Sequence, residues 1–145
     1  MSATAQSMQW VSALSTQPSL EAAVREVADQ LRQQLSATPD LAMVFISSAF
    51  ASEYARLLPL LNEVMPVPCL IGCSGGGVVG SPVAGHTLEV EQKPALSVCA
   101  ATLPNVAVKS FYLREHDLPD LDSSPDDWIE KVGVSPADSP SLILM

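Results

Sequence analysis

Positive charge is scarce in this chain. Its 145 residues hold 7 Lys and Arg against 16 Asp and Glu, a formal net charge of -9, and no basic cluster interrupts the acidic residues. Such a chain gains no counterion release on a phosphate backbone, so nucleic acid and anionic membrane are excluded as expected partners. Long apolar runs are missing as well. Residues 57–71 are interrupted by Pro59, Glu63, Pro66 and Pro68, which excludes a spanning helix there. Residues 1–15 place no Lys or Arg ahead of their first apolar residues and hold no continuous apolar core, so no secretory leader is expected and a cytoplasmic location is. Cysteine is limited to Cys69, Cys73 and Cys99, an odd number lying in or beside strand-like runs. Free thiols in a reducing compartment fit that pattern better than a disulfide framework. Cys69 and Cys73 have no further Cys or nearby His to complete a metal site, and no metal or cofactor is expected.

What is present fits one domain of ordinary size. A chain of this length, 48% hydrophobic, can bury roughly two-thirds of its unfolded surface. Residues 9–14 alternate as a first strand does. Leu20, Val24, Val27, Leu31 and Leu35 then recur at spacings of four, three, four and four, one apolar stripe on a helix started by Pro18, Ser19 and Glu21. Residues 41–46 are apolar without alternation, as a strand covered on both faces must be. A second helical pattern spans residues 49–65, with Tyr54, Leu57, Leu58, Leu61 and Val64 on one side and a kink or restart expected at Pro59.

A third strand ends at Ile71, so the first half predicts a parallel β-α-β-α-β arrangement whose ligand-prone edge is the carboxyl end of the strands. Residues 87–91, 95–103 and 106–113 then predict an antiparallel meander, making the fold α/β with a mixed sheet flanked by helices. An acidic stretch over residues 118–125 leads to a short helix with Ser124 as cap, Pro125 at its first position and Gly133 as its stop. His116 and the acidic residues around it fit a solvated loop better than a cation site, because the Gly and terminal Glu of a calcium loop are missing. Trp10 and Trp128 are expected as core anchors. Residues 141–145 read as the beginning of another buried strand, so a truncated, longer protein is expected.

Five of the seven glycines fall in one segment, Gly72 Cys73 Ser74 Gly75 Gly76 Gly77 Val78 Val79 Gly80, directly after the third strand. Residues without a Cβ let another group approach the main chain, which marks a tight turn, a ligand cradle or both. Gly75, Gly77 and Gly80 match a dinucleotide fingerprint, but Ser81 and Pro82 cannot open the required helix, and no Lys follows to make a phosphate loop. Gly72, Ser74 and Gly76 match a nucleophile elbow, again without the following helix, and only His86 and His116 could serve as base. A structural turn, in which the glycines serve a bulge or close strand packing, is the plain alternative. The remaining reading is a small-ligand cradle of main-chain amides from Gly72 to Gly77, with hydroxyls from Ser74, Ser47 and Ser48 and no catalytic residue.

The order of pieces resembles the N-terminal part of the FIST family, the domains of F-box and intracellular signal transduction proteins. The likeness rests on Trp10 to Leu14, the amphipathic helix, the strand at residues 42–47, Leu60 Leu61 Asn62 Glu63 Val64, and Ile71 Gly72 Cys73 Ser74 Gly75 Gly76 Gly77. It implies one FIST N-terminal-like domain over residues 1–145. It further implies an intracellular sensory role, a small-molecule ligand such as an amino acid or similar polar metabolite, and a C-terminal FIST region or signalling modules as partners. The family transfers no catalytic residue. A serine hydrolase using Ser74, or a protein-interaction scaffold, stand as the alternatives.

Overall fold

The computed structural model describes residues 7–83, 86–143 and 145. Residues 1–6 of the N-terminal stretch, Ala84 and Gly85 in the segment after the glycines, and Leu144 of the expected last strand lie outside the described residues.

The first compact unit is Met1–Val108. Strand β1 (Gln9–Ser15) leads to α1 (Leu20–Gln34), which begins where Ser19 accepts a hydrogen bond from the Ala22 amide at 3.3 Å. The predicted stripe is the buried one: Leu20, Val24, Val27 and Leu31 all lie in the main core. Strand β2 (Leu41–Ser47) is followed by a 3-10 stretch, Ser48–Glu53, and by α2 (Tyr54–Val64). The break in this second helical region comes at Phe50 (φ -96, ψ 15), whereas α2 runs through Pro59 without restarting. Leu61 is the buried residue of α2. Leu58, expected on its apolar side, is 53% exposed because the step of about 100° from Leu57 carries it outside the stripe that Leu57, Leu60, Leu61 and Val64 present to the core.

Strands β3 (Cys69–Gly75), β4 (Gly77–Val83), β5 (His86–Glu91) and β6 (Leu96–Thr102) complete the unit. The four-stranded sheet has the order β1-β6-β2-β3. β2 and β3 pair in parallel, while β6 lies antiparallel to both β1 and β2, with Cys99 opposite Ser12 on one side and Met43 on the other. The three strands of the first half therefore run the same way, and the architecture is mixed α/β with parallel and antiparallel pairs in one sheet. Among the described residues, β4 and β5 pair only with each other.

This order corrects two expectations. β5 does not pair with β6, and residues 106–113 form no strand, because β1 and β2 already occupy both edges of β6. A following meander strand has no ladder left to join.

Alternation sorts the side chains. One sheet face, bearing Ala13, Ala42, Val44, Ile46, Val98 and Ala100, is covered by α1 and α2. On the other face, Leu14 and Phe45 pack against Val78 and Val90 of the β4–β5 hairpin. At the far end of that face, Leu41, Cys69 and Ala101 meet Leu103. Trp10 projects to this second face near the open edge of β1 and is 46% exposed, so it is not the core anchor expected.

The second unit is Lys109–Met145. Its helix α3 (Pro125–Val132) has the predicted ends: Ser124 accepts from the Asp126 amide at 3.2 Å, Pro125 opens the helix, and Gly133 closes it at φ +75. The Lys109 ammonium donates to the Gly133 carbonyl at 3.0 Å. α3 buries no residue completely, and Trp128 is 42% exposed, again against expectation, because a stretch this small offers too little apolar surface to enclose an indole. Residues 141–143 and 145 form no strand, since they have no ladder partner, and Leu142, Ile143 and Met145 are exposed.

Candidate functional site

The glycine-rich segment is strand for most of its length. Gly72, Cys73, Ser74 and Gly75 finish β3, Gly77 opens β4, and Gly76 alone lies between them. Their neighbours in the parallel ladder are Val44, Phe45, Ile46 and Ser47, so the topology brings Ser47 and the glycines to one place, the carboxyl ends of β2 and β3. β3 is an edge strand. Alternate main-chain groups of such a strand point away from its partner, toward the unpaired side. Gly72, Cys73 and Ser74 are exposed. The main chain here is held by β2 on one side and open to water on the other.

Pairing within the strand also separates two candidates. Cys73 lies on the hairpin side of the sheet with Phe45, and Ser74 lies with Ile46 on the helix side. Ser74 thus sits inside a strand followed by another strand, not on the sharp strand-to-helix turn that a catalytic serine needs. His86 opens β5 at the opposite end of the hairpin from the Gly77–Glu91 pair, about 17 Å away by strand rise.

Each glycine has its own reason. A Cβ on Gly72 would come within 2.3 Å of the Val44 carbonyl oxygen, and one on Gly80 within 2.7 Å of Ser97 Oγ and 3.0 Å of Leu14 Cβ. At these two positions the group approaching the main chain is the protein itself. Gly75 would meet the Gly77 carbonyl oxygen at 2.9 Å, which fixes the tight passage from one sheet to the other. A Cβ on Gly76 would meet no heavy atom within 4 Å, and its φ is not in the left-handed region. Packing and backbone geometry do not require glycine there.

The two serines of β2 differ sharply. Ser47 is fully buried; its hydroxyl donates to the Lys93 carbonyl at 2.7 Å and accepts from the Ala49 amide at 3.1 Å. Ser48 is exposed at the start of the 3-10 stretch. All three cysteines are free thiols: Cys69 is buried, Cys73 exposed and Cys99 half-buried. Desolvation pushes the Cys99 thiol above its ordinary range and keeps it protonated. Among the described residues, no three His, Cys, Asp or Glu side chains gather to hold a metal.

A feature invisible in the sequence lies at the opposite, amino edge of β2 and β3. A cavity of about 340 Å³ opens between the C-terminal ends of α1 and α2, with Leu31, Leu35, Thr38, Val64 and Met65 among its walls. Arg32 borders it. Its guanidinium binds Asp29 at 2.6 Å and donates to the Val64 carbonyl, capping α2 from α1. No periodicity announces such a space, because it is formed by the ends of two helices together with the segments that follow them.

Among known families, the model described as the FIST N domain matches residues 40–142 of the chain. No curated protein matches it.

Proposed function

The chain belongs to the FIST N domain family, a family of sensory domains in signal transduction, and from that premise we propose that it is the small-ligand-sensing part of an intracellular signalling protein. The ligand is a polar metabolite such as an amino acid, held by those main-chain groups of Gly72, Cys73, Ser74, Gly75, Gly76 and Gly77 that the β2 and β5 ladders leave unpaired, with the Ser48 hydroxyl. Ser47 orders this site without meeting the ligand, since it is fully buried and its one O–H already donates to the Lys93 carbonyl. The supporting observation is the open edge of β3, where Gly72 to Ser74 are exposed beside a glycine that packing does not require. Backbone N–H groups on such an edge can bind a carboxylate through charge-assisted hydrogen bonds. The output partners are a C-terminal FIST region or signalling modules, acting in the cytoplasm.

Thermal-shift titration of the chain with a panel of amino acids and related metabolites tests this. A true ligand stabilises by about 2.7 kcal/mol at a hundredfold excess over Kd. Gly76→Val, whose Cβ meets no heavy atom within 4 Å, is expected to leave the unliganded melting temperature in place and to abolish the shift. A panel without any saturable shift on the folded chain contradicts the reading.

The same open edge favours a protein-interaction scaffold as second reading, with β3 accepting a strand from a partner. Partner capture that persists without any small molecule and survives Gly76→Val would select it.

A further inference from the structure

The β4–β5 hairpin is attached to the four-stranded sheet face to face, through side chains. Among the described residues, no hydrogen bond joins the hairpin strands to that sheet; the hairpin's ladder is internal, supplemented by the Ser81 and Thr87 hydroxyls at 3.4 Å. What holds it down is apolar contact, chiefly Val78 and half-buried Val90 against Leu14, Phe45 and Ala95. Gly80 lets the ribbon lie directly over Ser97 and Leu14.

Both roots of the ribbon are pinned by one residue. Gly75 is the ladder partner of Ser47, and the Ser47 hydroxyl and amide bind the carbonyls of Lys93 and Ala95 at 2.7 and 2.9 Å. Between each pinned point and the ribbon stands a single residue of unusual backbone freedom or strain. On one side it is Gly76, unpaired and with open space around it; on the other it is Gln92, a non-glycine at φ +56. Hinges of this kind, a few residues at element ends, carry rigid-body closure in other proteins.

We infer that the β4–β5 hairpin is a flap, turning as a unit about Gly76 and Gln92 on a base fixed by Ser47. Opening breaks no ladder and exposes the contact of Val78, Gly80 and Val90 with Leu14, Phe45, Ala95 and Ser97, so it occurs below the free energy of global unfolding. The strip it uncovers is part of one register row across the sheet, Leu14, Ser97 and Phe45, which ends at Cys73. Leu14 and Ser97 are closed off beneath the ribbon, whereas Cys73, at the other end of the row, is exposed. The flap therefore controls admission to the sheet face beside Cys73, and this holds whether or not the edge of β3 binds a metabolite.

Thiol labelling of Ser97→Cys in the full chain, resolved by mass spectrometry, tests the flap without any ligand. Ser97 is 4% exposed beneath the ribbon, and native Cys69, buried at the far end of the same face, is the internal reference. The new thiol is expected to react at least tenfold faster than Cys69, at a rate nearly independent of low urea. Adding Ser47→Ala, which frees one root, accelerates it a further severalfold without accelerating Cys69. Equal rates for the two thiols, rising together with urea, would mean that the ribbon lifts only when the whole unit unfolds, and would overturn the proposal. Should Ser97→Cys fail to fold, Ala95→Cys, buried against Val78 beneath the same ribbon, is labelled in its place: faster reaction than Cys69 at low urea supports the flap, and equal rates refute it.

Discussion

At the scale of single residues, neighbouring glycines do different work, and substitution separates them. Gly72→Ala drives a methyl into the Val44 carbonyl of the adjacent strand, a backbone group that cannot step aside, and is expected to cost about 1–3 kcal/mol in urea unfolding. Gly76→Ala meets open space and should stay within about 0.5 kcal/mol of the parent. Equal losses at the two positions would contradict the assigned geometry. The cysteines separate in the same manner. Iodoacetamide at neutral pH should modify exposed Cys73 first, with Cys99 slower because burial keeps its thiol protonated; preferential labelling of Cys99 would refute that order.

At the scale of elements, α1 and α2 are joined at their starts by Arg56, which binds Glu53 at 2.6 Å and also reaches Glu21. A hydrogen bond from its own backbone region and then the Arg56 guanidinium hold the Glu21 carboxyl below the usual carboxylate range. Because its folded pKa lies below the unfolded one, the bridge's contribution is complete above the unfolded value and is lost as pH falls through the folded value. An NMR titration should find Glu21 below its ordinary pKa, and Arg56→Gln should raise it; no change in the variant would sink the linkage.

Much at this level was legible beforehand, for local reasons. The stripe of α1 and the Ser124, Pro125 and Gly133 signals of α3 are short-range chemistry, and each element formed where its signals lay. The candidate site was legible only as a cluster of residues. Whether Gly72 to Gly75 make a loop or finish a strand depends on pairing with β2, and whether that strand is open depends on what lies beyond it. Trp10 differs for a like reason, since its exposure is decided by which part of the sheet face a distant element covers.

For the whole molecule, the decisive step is the insertion of β6 between β1 and β2, two strands that the chain makes long before it. Among the described residues, β1 has no other strand partner in its sheet. A chain ending after Gln92 is therefore expected to lose the four-stranded sheet, seen as collapse of amide dispersion in its NMR spectrum; retained dispersion would show that β1 and β2 can pair without it. Such long-range closure also predicts slower folding than a local β-α-β order would give.

The sheet presents two opposite edges with different offers, an open β3 with its exposed glycines and serine, and the cavity bounded by Arg32. An amide-resolved NMR titration with the metabolite that gives a saturable thermal shift tests the central claim most directly. Shifts concentrated at Gly72, Cys73, Ser74 and Gly76 are the result predicted. Shifts concentrated instead at Leu31, Arg32, Thr38 and Met65, with the glycine segment unmoved, would contradict it.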